Sequence, residues 1–478
     1  MIMLFIYDLF FYLKYFIYFN IFINSLTLNY LSYKINKKIF FIKYLFYSIN
    51  LNGCFLIKLT QWFNTILHTY DLNNHDNKEL IYIRDLFDTF FEDCNIHNLN
   101  YTKKIFEYDN TYKFDELIQI DENFTIKSGS IAQVYKGKFK NIQNIAIKVV
   151  HPELKYQIFF PEYLIYFYQY IVKNFYIFKN YDIIFNLNSF IENIKLQFDM
   201  NNEFKNMNYY YNYYNNTEKN ECIVIPKPIF SSKNILIMEY IDGINFDKLD
   251  LSDTEKKKIC SLFSLFIKNN TLFMDYFHND MHSSNWKILK CNNYYKLIIY
   301  DFGYLIKIDD NFKEDIKNLI FYLDTNNKIE IAKISYKFIT NKYIDLDTYI
   351  NLFTKQIYNL LPFSDDIILK IHTFFYHYKF KVQDNISNYF ILAILVRRTL
   401  KKYMYQTDNV NKEYSYNYHF QTYLFLNSIS NEYNIFKNVQ KYLFQYYFNN
   451  QEYLKNLKYK DKYLENLTSE LDNSNIDI

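Results

Sequence analysis

Glycine is so scarce in this chain, five among 478 residues, that each one kept answers a local geometric demand. It alone reaches positive φ and lets a ligand or a second strand lie against bare main chain, so a sequence that otherwise discards glycine keeps it where φ is positive or where a phosphate approaches the backbone. Four of the five sit in short, recognisable stretches. Gly129 and Gly137 flank Ser130-Ile131-Ala132-Gln133-Val134-Tyr135, Gly243 closes Met238-Glu239-Tyr240-Ile241-Asp242, and Gly303 ends Asp301-Phe302. Gly53 has no such setting.

The remaining composition narrows the class. With 53 Tyr, 48 Phe, long Asn, Ile and Lys runs and only Arg84, Arg397 and Arg398, the bias pervades the whole chain, so aromatic stripes and Asn-Tyr tracts carry little functional information. The length allows two or three domains, or one large two-lobed unit with a real core. A net charge of +3 implies no nucleic-acid partner. The cysteines (54, 94, 222, 260, 291) form no Cys-x-x-Cys pair, which points to free thiols in a reducing compartment and to no structural zinc. The basic excess lies at the front: Lys14, Lys34, Lys37, Lys38, Lys43 and Lys58 face only Asp8 among the first 70 residues. Residues 1–50 therefore read as an apolar, basic targeting or membrane-anchoring segment, mitochondrial or of another organelle. Asn20, Asn24, Ser25, Thr27 and Asn29 weaken a spanning helix, and a biased helical extension of the fold is the alternative.

Further along, residues 51–125 read as a helical extension. Val134 to Phe139 and Asn144 to Val150, with a turn at 141–143, read as a hairpin. A helical region covers about 153–207, and the Asn-Tyr tract from Asn208 to Asn220 reads as a surface loop. Pro226 and Pro228 precede a strand from Asn234 to Tyr240. Ser252 with Glu255 is a capping-box signature opening a buried helix that runs to about Tyr276. Everything after Asp310 reads as helices, with Phe390 to Val396 as core and a polar tail from about Lys455.

Phosphoryl transfer needs a cradle for phosphates, a fixed cation, an anion to hold that cation, metal ligands and a group to orient the nucleophile. The chain supplies them in order. Ile145-Ala146-Ile147-Lys148 places a lysine on the third strand of an N-terminal sheet, where alternation points it into a cleft. Ser128, Gly129 and Ser130 sit at the preceding strand turn, where small residues let N–H groups approach a nucleotide. Glu239, Tyr240 and Ile241 read as the hinge whose main chain meets the adenine. Asn285 follows Asp280 by five residues, the spacing of a loop whose Asp orients a hydroxyl and whose Asn binds metal, and Asp301-Phe302-Gly303 supplies a second metal ligand. His278, Asp280 and His282 also suggest a zinc cluster, but i, i+2 and i+4 do not share one helical face. His278 then braces the loop.

At these residues the chain resembles the UbiB family of atypical kinase-like proteins associated with ubiquinone biosynthesis. Lys148-Val149-Val150-His151-Pro152 is similar to that family's Lys-Val-x-His-Pro, Ser130-Ile131-Ala132-Gln133-Val134 to its Ser-Ile-Gly-Gln-Val, and Lys58-Leu59-Thr60-Gln61 to its Lys-x-Gly-Gln signature. Gln197-Phe198-Asp199, with Glu203 and Asn206, resembles its Glu-x-Asp and Glu-Ala-x-Asn pair. The resemblance makes Glu203, 55 positions further on, the partner of Lys148 and the stretch between them a helical insertion. Departures are Lys127-Ser128-Gly129 for an alanine-rich loop, Gln197 for an acid and Thr60 for a glycine.

The resemblance implies an α+β, two-lobed protein-kinase-like fold with an N-terminal helical extension and a long, mostly helical C-terminal lobe, divided at 1–50, 51–125, 126–243 and 244–478. It implies ATP and Mg²⁺ as cofactors, Asp280, Lys148 and Glu203 as catalytic residues, Asn285 and Asp301 on the metal, and a helix carrying Lys58 and Gln61 across the cleft as a gate. Slow ATP hydrolysis or phosphorylation of a small molecule follows, in support of ubiquinone or related isoprenoid lipid biosynthesis, with a lipid or a biosynthetic complex as partner at an organelle membrane. A nucleotide-binding scaffold without chemistry is the alternative. A protein Ser/Thr kinase ranks lower, since no Ala-Pro-Glu segment follows Asp301-Phe302-Gly303.

Overall fold

The computed structural model describes residues 2–32, 38–70, 78–91, 94–110, 112–140, 143–175, 186–215, 222–291, 295–324, 327–357 and 367–404. The chain opens with α1 (Ile2–Ser32), α2 (Lys38–Asn52), α3 (Cys54–Tyr70) and α4 (Lys78–Asp88). α1 and α2 lie side by side, joined by apolar packing and by two polar clasps. Ser25 Oγ and Ser48 Oγ share a hydrogen bond of 2.8 Å, and Asn52 Nδ2 donates to the Tyr18 carbonyl at 2.9 Å. Ser25, which interrupts the apolar run and is buried, thus finds a partner in the facing helix, as buried polar groups must.

Gly53 is the joint between α2 and α3. Its φ of 82° lies in the left-handed region, and a Cβ there would fall 2.1 Å from Gln157 Oε1. That same oxygen accepts the Cys54 N–H at 2.7 Å, capping α3 from a distant part of the chain.

Next come α5 (Leu99–Asp109), α6 (Phe114–Leu117), β1 (Ile118–Ile120), β2 (Lys127–Ser128), β3 (Ala132–Phe139) and β4 (Gln143–Val150). The helices α7 (Leu154–Asn174), α8 (Leu187–Leu196) and α9 (Met200–Asn215) follow, then β5 (Ile223–Val224), β6 (Pro228–Ser231) and β7 (Ile235–Glu239). An antiparallel sheet runs β1-β3-β4-β7-β6, with β2 also pairing β3. Strand alternation sorts β4. Ile145, Ile147 and Val149 join Phe106, Phe114, Ile235 and Ile237 in one core, so Ala146, Lys148 and Val150 point to the opposite face.

The second lobe holds α10 (Asp253–Phe273), β8 (Tyr276–His278), β9 (Trp286–Lys290), β10 (Tyr295–Ile299) and β11 (Leu305–Lys307). It continues through α11 (Asp310–Asp324), α12 (Lys328–Lys337), α13 (Leu346–Gln356), α14 (Ile367–His377) and α15 (Asp384–Met404). α10 opens with the capping box read from the sequence: Ser252 takes the Glu255 N–H, and the Glu255 carboxylate takes the Ser252 N–H at 2.8 Å. Phe263, Phe266, Phe277, Phe302 and Ile316 centre its core, to which Phe390 and Leu392 of α15 belong. The family of architectures is the expected one: α+β, two-lobed and kinase-like, with helices in front.

Several local expectations change. The tract from Asn208 to Asn215 is the second half of α9, not a loop, because Tyr210 and Tyr214 fall at i and i+4 and are both fully buried. Residues 216–221 lie outside the described residues. β1 was not anticipated; it makes Lys148 part of the fourth strand in chain order and takes the sheet back to Ile118. Gly137 serves this strand, and no phosphate: a Cβ there would sit 2.6 Å from the Gln119 carbonyl oxygen. The turn at 141–142 and the tail from Lys455 lie outside the described residues. The five cysteines are free thiols.

Candidate active site

Lys148 leaves the cleft face of β4 and donates to two carboxylates, Glu203 Oε1 at 2.7 Å and Asp301 Oδ2 at 2.8 Å. Glu203 belongs to the first turn of α9, where a helix dipole favours an anion. The start of that helix is fixed: Asp199 Oδ1 accepts the Asn201 N–H at 3.0 Å, and the Met200 N–H reaches the Lys233 carbonyl at 2.9 Å. One turn after Glu203, Asn206 Nδ2 donates to the Phe302 carbonyl at 2.9 Å, while the Gly303 N–H donates to Asp301 Oδ1 at 2.8 Å. The helix and the Asp301-Phe302-Gly303 turn are thereby locked as one unit around the lysine.

One ammonium faces two carboxylates, and they share it unequally. Burial pushes Glu203 up to about 7, against the pull of Lys148 and with the push of Asp301. Burial also acts on Asp301, but Lys148 and the Gly303 N–H outweigh it and hold Asp301 below the usual carboxylate range. Burial would lower Lys148, yet Asp301 and Glu203 together raise it, so it stays a cation.

The loop after β8 supplies the second half. His278 Nε2 donates to the Asp301 carbonyl, and its Nδ1 accepts the Asp280 N–H at 3.2 Å, so both ring nitrogens brace the two loops together. Asn285 Nδ2 donates to the Asp280 carbonyl at 2.7 Å, which fixes the amide and leaves Oδ1 as its acceptor atom. The Asp280 carboxylate receives Lys58 Nζ at 2.5 Å on Oδ2 and stands 3.6 Å from His282 Nε2 on Oδ1. Burial would raise Asp280, but Lys58 and His282 lower it below the ordinary value. Among the described residues no group of three or more His, Cys, Asp or Glu is arranged to hold a metal, so the His278, Asp280 and His282 trio does not assemble as a zinc site.

Lys58 and Gln61 come from one face of α3, and Gln61 Nε2 is anchored on the Phe90 carbonyl at 2.7 Å. Together with Lys148, Asp280, Asn285 and Asp301 they line a cavity of about 70 Å³ that also touches Gly129, Ser130 and Glu203. Two groups of expected nucleotide-binding residues sit off its wall. Ser128 turns its hydroxyl to the Asn95 carbonyl at 3.0 Å. At the hinge, Glu239 accepts the Lys227 N–H, the Tyr240 N–H goes to the Asn144 carbonyl at 3.1 Å, and the Ile241 carbonyl takes the Tyr300 hydroxyl at 2.9 Å. Tyr300 escaped sequence reasoning because one tyrosine among 53 carries no signal; its position next to Asp301 was the only clue.

Residues 90–335, just over half of the chain, match the model of the ABC1 atypical kinase-like domain. Curated relatives include the ABC1 family protein MCP2 of Saccharomyces cerevisiae, 28% identical over 41% of this chain and 38% of its own. AarF domain-containing kinase 1 of Drosophila melanogaster is 24% identical over 43% and 40%. A probable serine/threonine-protein kinase, abkB, of Dictyostelium discoideum is 26% identical over 45% and 33%. The chain thus spans two fifths or less of the length of these relatives. Among solved structures, the Rv3197-erythromycin complex from Mycobacterium tuberculosis covers 64% of this chain and 83% of its own at 13% identity and a TM-score of 0.45. The Rio2 kinase-ADP/Mg²⁺-phosphoaspartate complex from Chaetomium thermophilum covers 71% and 96% at 10% identity and a TM-score of 0.29. With the ordered set of kinase-like elements meeting at Lys148, the match over residues 90–335 shows that this chain belongs to the ABC1 (UbiB/AarF) family of atypical kinase-like proteins.

Proposed function

We propose that this protein binds Mg-ATP and acts as an atypical kinase or ATPase whose cleft is gated by its own α3. The observation that carries this reading is Lys148 held between Glu203 and Asp301 in a cavity shared with Asp280 and Asn285. The donor set suits magnesium, which takes one or two protein oxygens and completes its shell with phosphates and water. Asp301 and the Asn285 Oδ1 would hold the ion, and Lys148 would meet phosphate. When bound, Mg-ATP supplies the phosphoryl group and the charge that screens it.

The chain's own residues then have distinct tasks. Glu203 fixes the Lys148 ammonium, so the cation is in place before any ligand arrives. His278 keeps the Asp280 and Asp301 loops in register. Asp280, ionised, can orient and take the proton of a hydroxyl or water, but only once Lys58 lets go of it. A cavity of about 70 Å³ is far below the several hundred Å³ of an ordinary ligand pocket. Opening of the cleft is therefore part of the cycle, and a small acceptor or water suits it better than a peptide.

A positioned base contributes about 10²- to 10⁴-fold. Asp280→Asn and Asp301→Asn should each lower magnesium-dependent ATP turnover by at least about a hundredfold; turnover within about threefold of wild type would end the catalytic assignment. The Lys58–Asp280 ion pair also favours a second reading, a nucleotide-binding scaffold without chemistry. Thermal-shift titration with Mg-ATP beside a turnover assay separates the two, because binding with no hydrolysis supports the scaffold. The wider role follows the family resemblance: support of ubiquinone or related isoprenoid biosynthesis at an organelle membrane, with a lipid or a biosynthetic complex as partner. α1 supports the membrane part, since Asp8–Leu31 is long and apolar enough to cross a bilayer and is mostly exposed.

A further inference from the structure

Behind the loop of Gly129 lies a chain of hydrogen bonds that the catalytic reading does not use. Gln133, fully buried on β3, takes the His97 N–H on Oε1 at 2.8 Å and gives Nε2–H to the His97 carbonyl at 3.0 Å. Because a peptide N–H only donates and a carbonyl only accepts, these two bonds fix which end of the Gln133 amide is nitrogen. Its Nε2 also donates to the Tyr135 hydroxyl. Tyr135, its oxygen already used as acceptor, passes its proton toward Thr102 Oγ1 at 2.9 Å, and Thr102 passes its own to His97 Nε2 at 3.1 Å. His97 therefore carries its proton on Nδ1 and donates to His151 Nδ1, 3.0 Å away.

The far end gives the same answer independently. His151 Nε2 lies 3.0 Å from the Gly129 carbonyl and 3.4 Å from Ser128 Oγ, whose own proton is committed to the Asn95 carbonyl. Both are acceptors here, so Nε2 must carry the proton and Nδ1 must accept. The His151 N–H also reaches the Ile131 carbonyl at 2.8 Å, so one residue grips the loop on both sides of Ser130. Desolvation keeps both rings neutral, holding His97 down to about 3 and His151 below its ordinary value. A proton added to His151 would land on Nδ1 and set two N–H groups against each other at 3.0 Å, and one added to His97 would land on Nε2, against the Thr102 hydroxyl proton at 3.1 Å.

We propose that His151 and His97 are positioning residues for the phosphate-facing loop, their tautomers set by a one-way relay running from Gln133 to the Gly129 carbonyl. The relay explains why Ser130-Ile131-Ala132-Gln133 and Lys148-Val149-Val150-His151 belong together: the first begins the chain and the second ends it, with His97 between them. The part that concerns nucleotide rests on the proposed function, whereas the tautomers do not.

The test therefore has two readouts on the full chain. Histidine-selective ¹⁵N spectra without nucleotide, assigned with His97→Gln and His151→Gln, should show His97 protonated at Nδ1 and His151 at Nε2 at pH 7. Both rings as Nε2–H tautomers, or either as imidazolium, would overturn the relay. For the loop, amides from 129 to 133 should exchange about tenfold faster in His151→Phe than in His151→Gln, whose amide nitrogen reproduces the Nε2 donor, as for one lost hydrogen bond. Apparent Mg-ATP affinity should fall by a similar factor in the Phe variant only. Equal exchange in the two variants refutes the positioning role. If His151→Phe does not fold, His97→Leu against His97→Asn, which keeps a donor at the Nδ1 position, carries the same comparison. A wild type that shows the tautomers and the protected loop yet binds no Mg-ATP would count against the proposed function and not against the relay.

Discussion

Around Lys148 the charges do not cancel, and this has a measurable consequence at the level of single residues. Glu203 is raised from 4.5 to about 7 in the folded state, so its favourable contribution is complete below pH 4.5 and is lost as pH rises through 7. Asp301, held low, stays ionised across that window and drops out of the comparison. Between pH 5 and 8 wild type should lose about 3 kcal/mol of stability relative to Glu203→Gln, measured by denaturant unfolding at each pH. A difference that stays flat with pH contradicts the assignment. Lys58 offers a second check. The pair is partly buried, and removing one partner costs up to the roughly 3–5 kcal/mol of a fully buried pair, so Lys58→Met should unfold at lower denaturant while its ATP turnover rises, because Asp280 is released. That Lys148, Asp280, Asn285 and Asp301 meet in one cleft is legible in the sequence, since strand alternation and fixed spacing act over a few residues. The direction of the Ser128 hydroxyl is not, because it is decided by Asn95, far away in the chain.

Among the elements, α10 and α9 show where pattern reading succeeds and where it fails. The capping box of α10 is local chemistry between residues three apart, and the structure reproduces it. From the sequence the second half of α9 reads as a loop, because Asn and Tyr are weak helix formers; burial of Tyr210 and Tyr214 against Phe266 and Phe302 overrides that propensity. The joint between α2 and α3 makes a sharper demand. Gly53→Ala should cost about 2 kcal/mol or more by chemical denaturation, from positive φ and from collision with Gln157. Adding Gln157→Ala should recover the collision part and leave the backbone part. An alanine tolerated without loss would mean the joint does not need its left-handed turn.

For the molecule as a whole, the front of the chain is tied to the turn that follows β4. α1 turns Lys14 and Tyr15 inward to Glu153 at 2.7 and 2.9 Å, in the turn that follows His151, and leaves Leu9, Phe10, Leu13, Phe16 and Ile17 exposed on one face. If that face is the membrane contact, replacing Phe10 and Phe16 by Asp should cut co-flotation with anionic vesicles at least tenfold, from the apolar area withdrawn. Unchanged flotation would remove α1 as the anchor. By itself the sequence determined the two lobes, the order of the kinase-like motifs and the strand, loop and helix contexts of each, because periodicity, capping and spacing are properties of neighbouring residues. Only the tertiary structure decided that Lys58 pairs with Asp280, that Tyr300 reaches the Ile241 carbonyl, and that His97 is hydrogen-bonded to both Gln133 and His151. Those contacts join residues far apart in the chain, and in a composition so rich in Tyr, Asn and Lys no single residue type marks its partner; packing alone brings them within hydrogen-bonding distance.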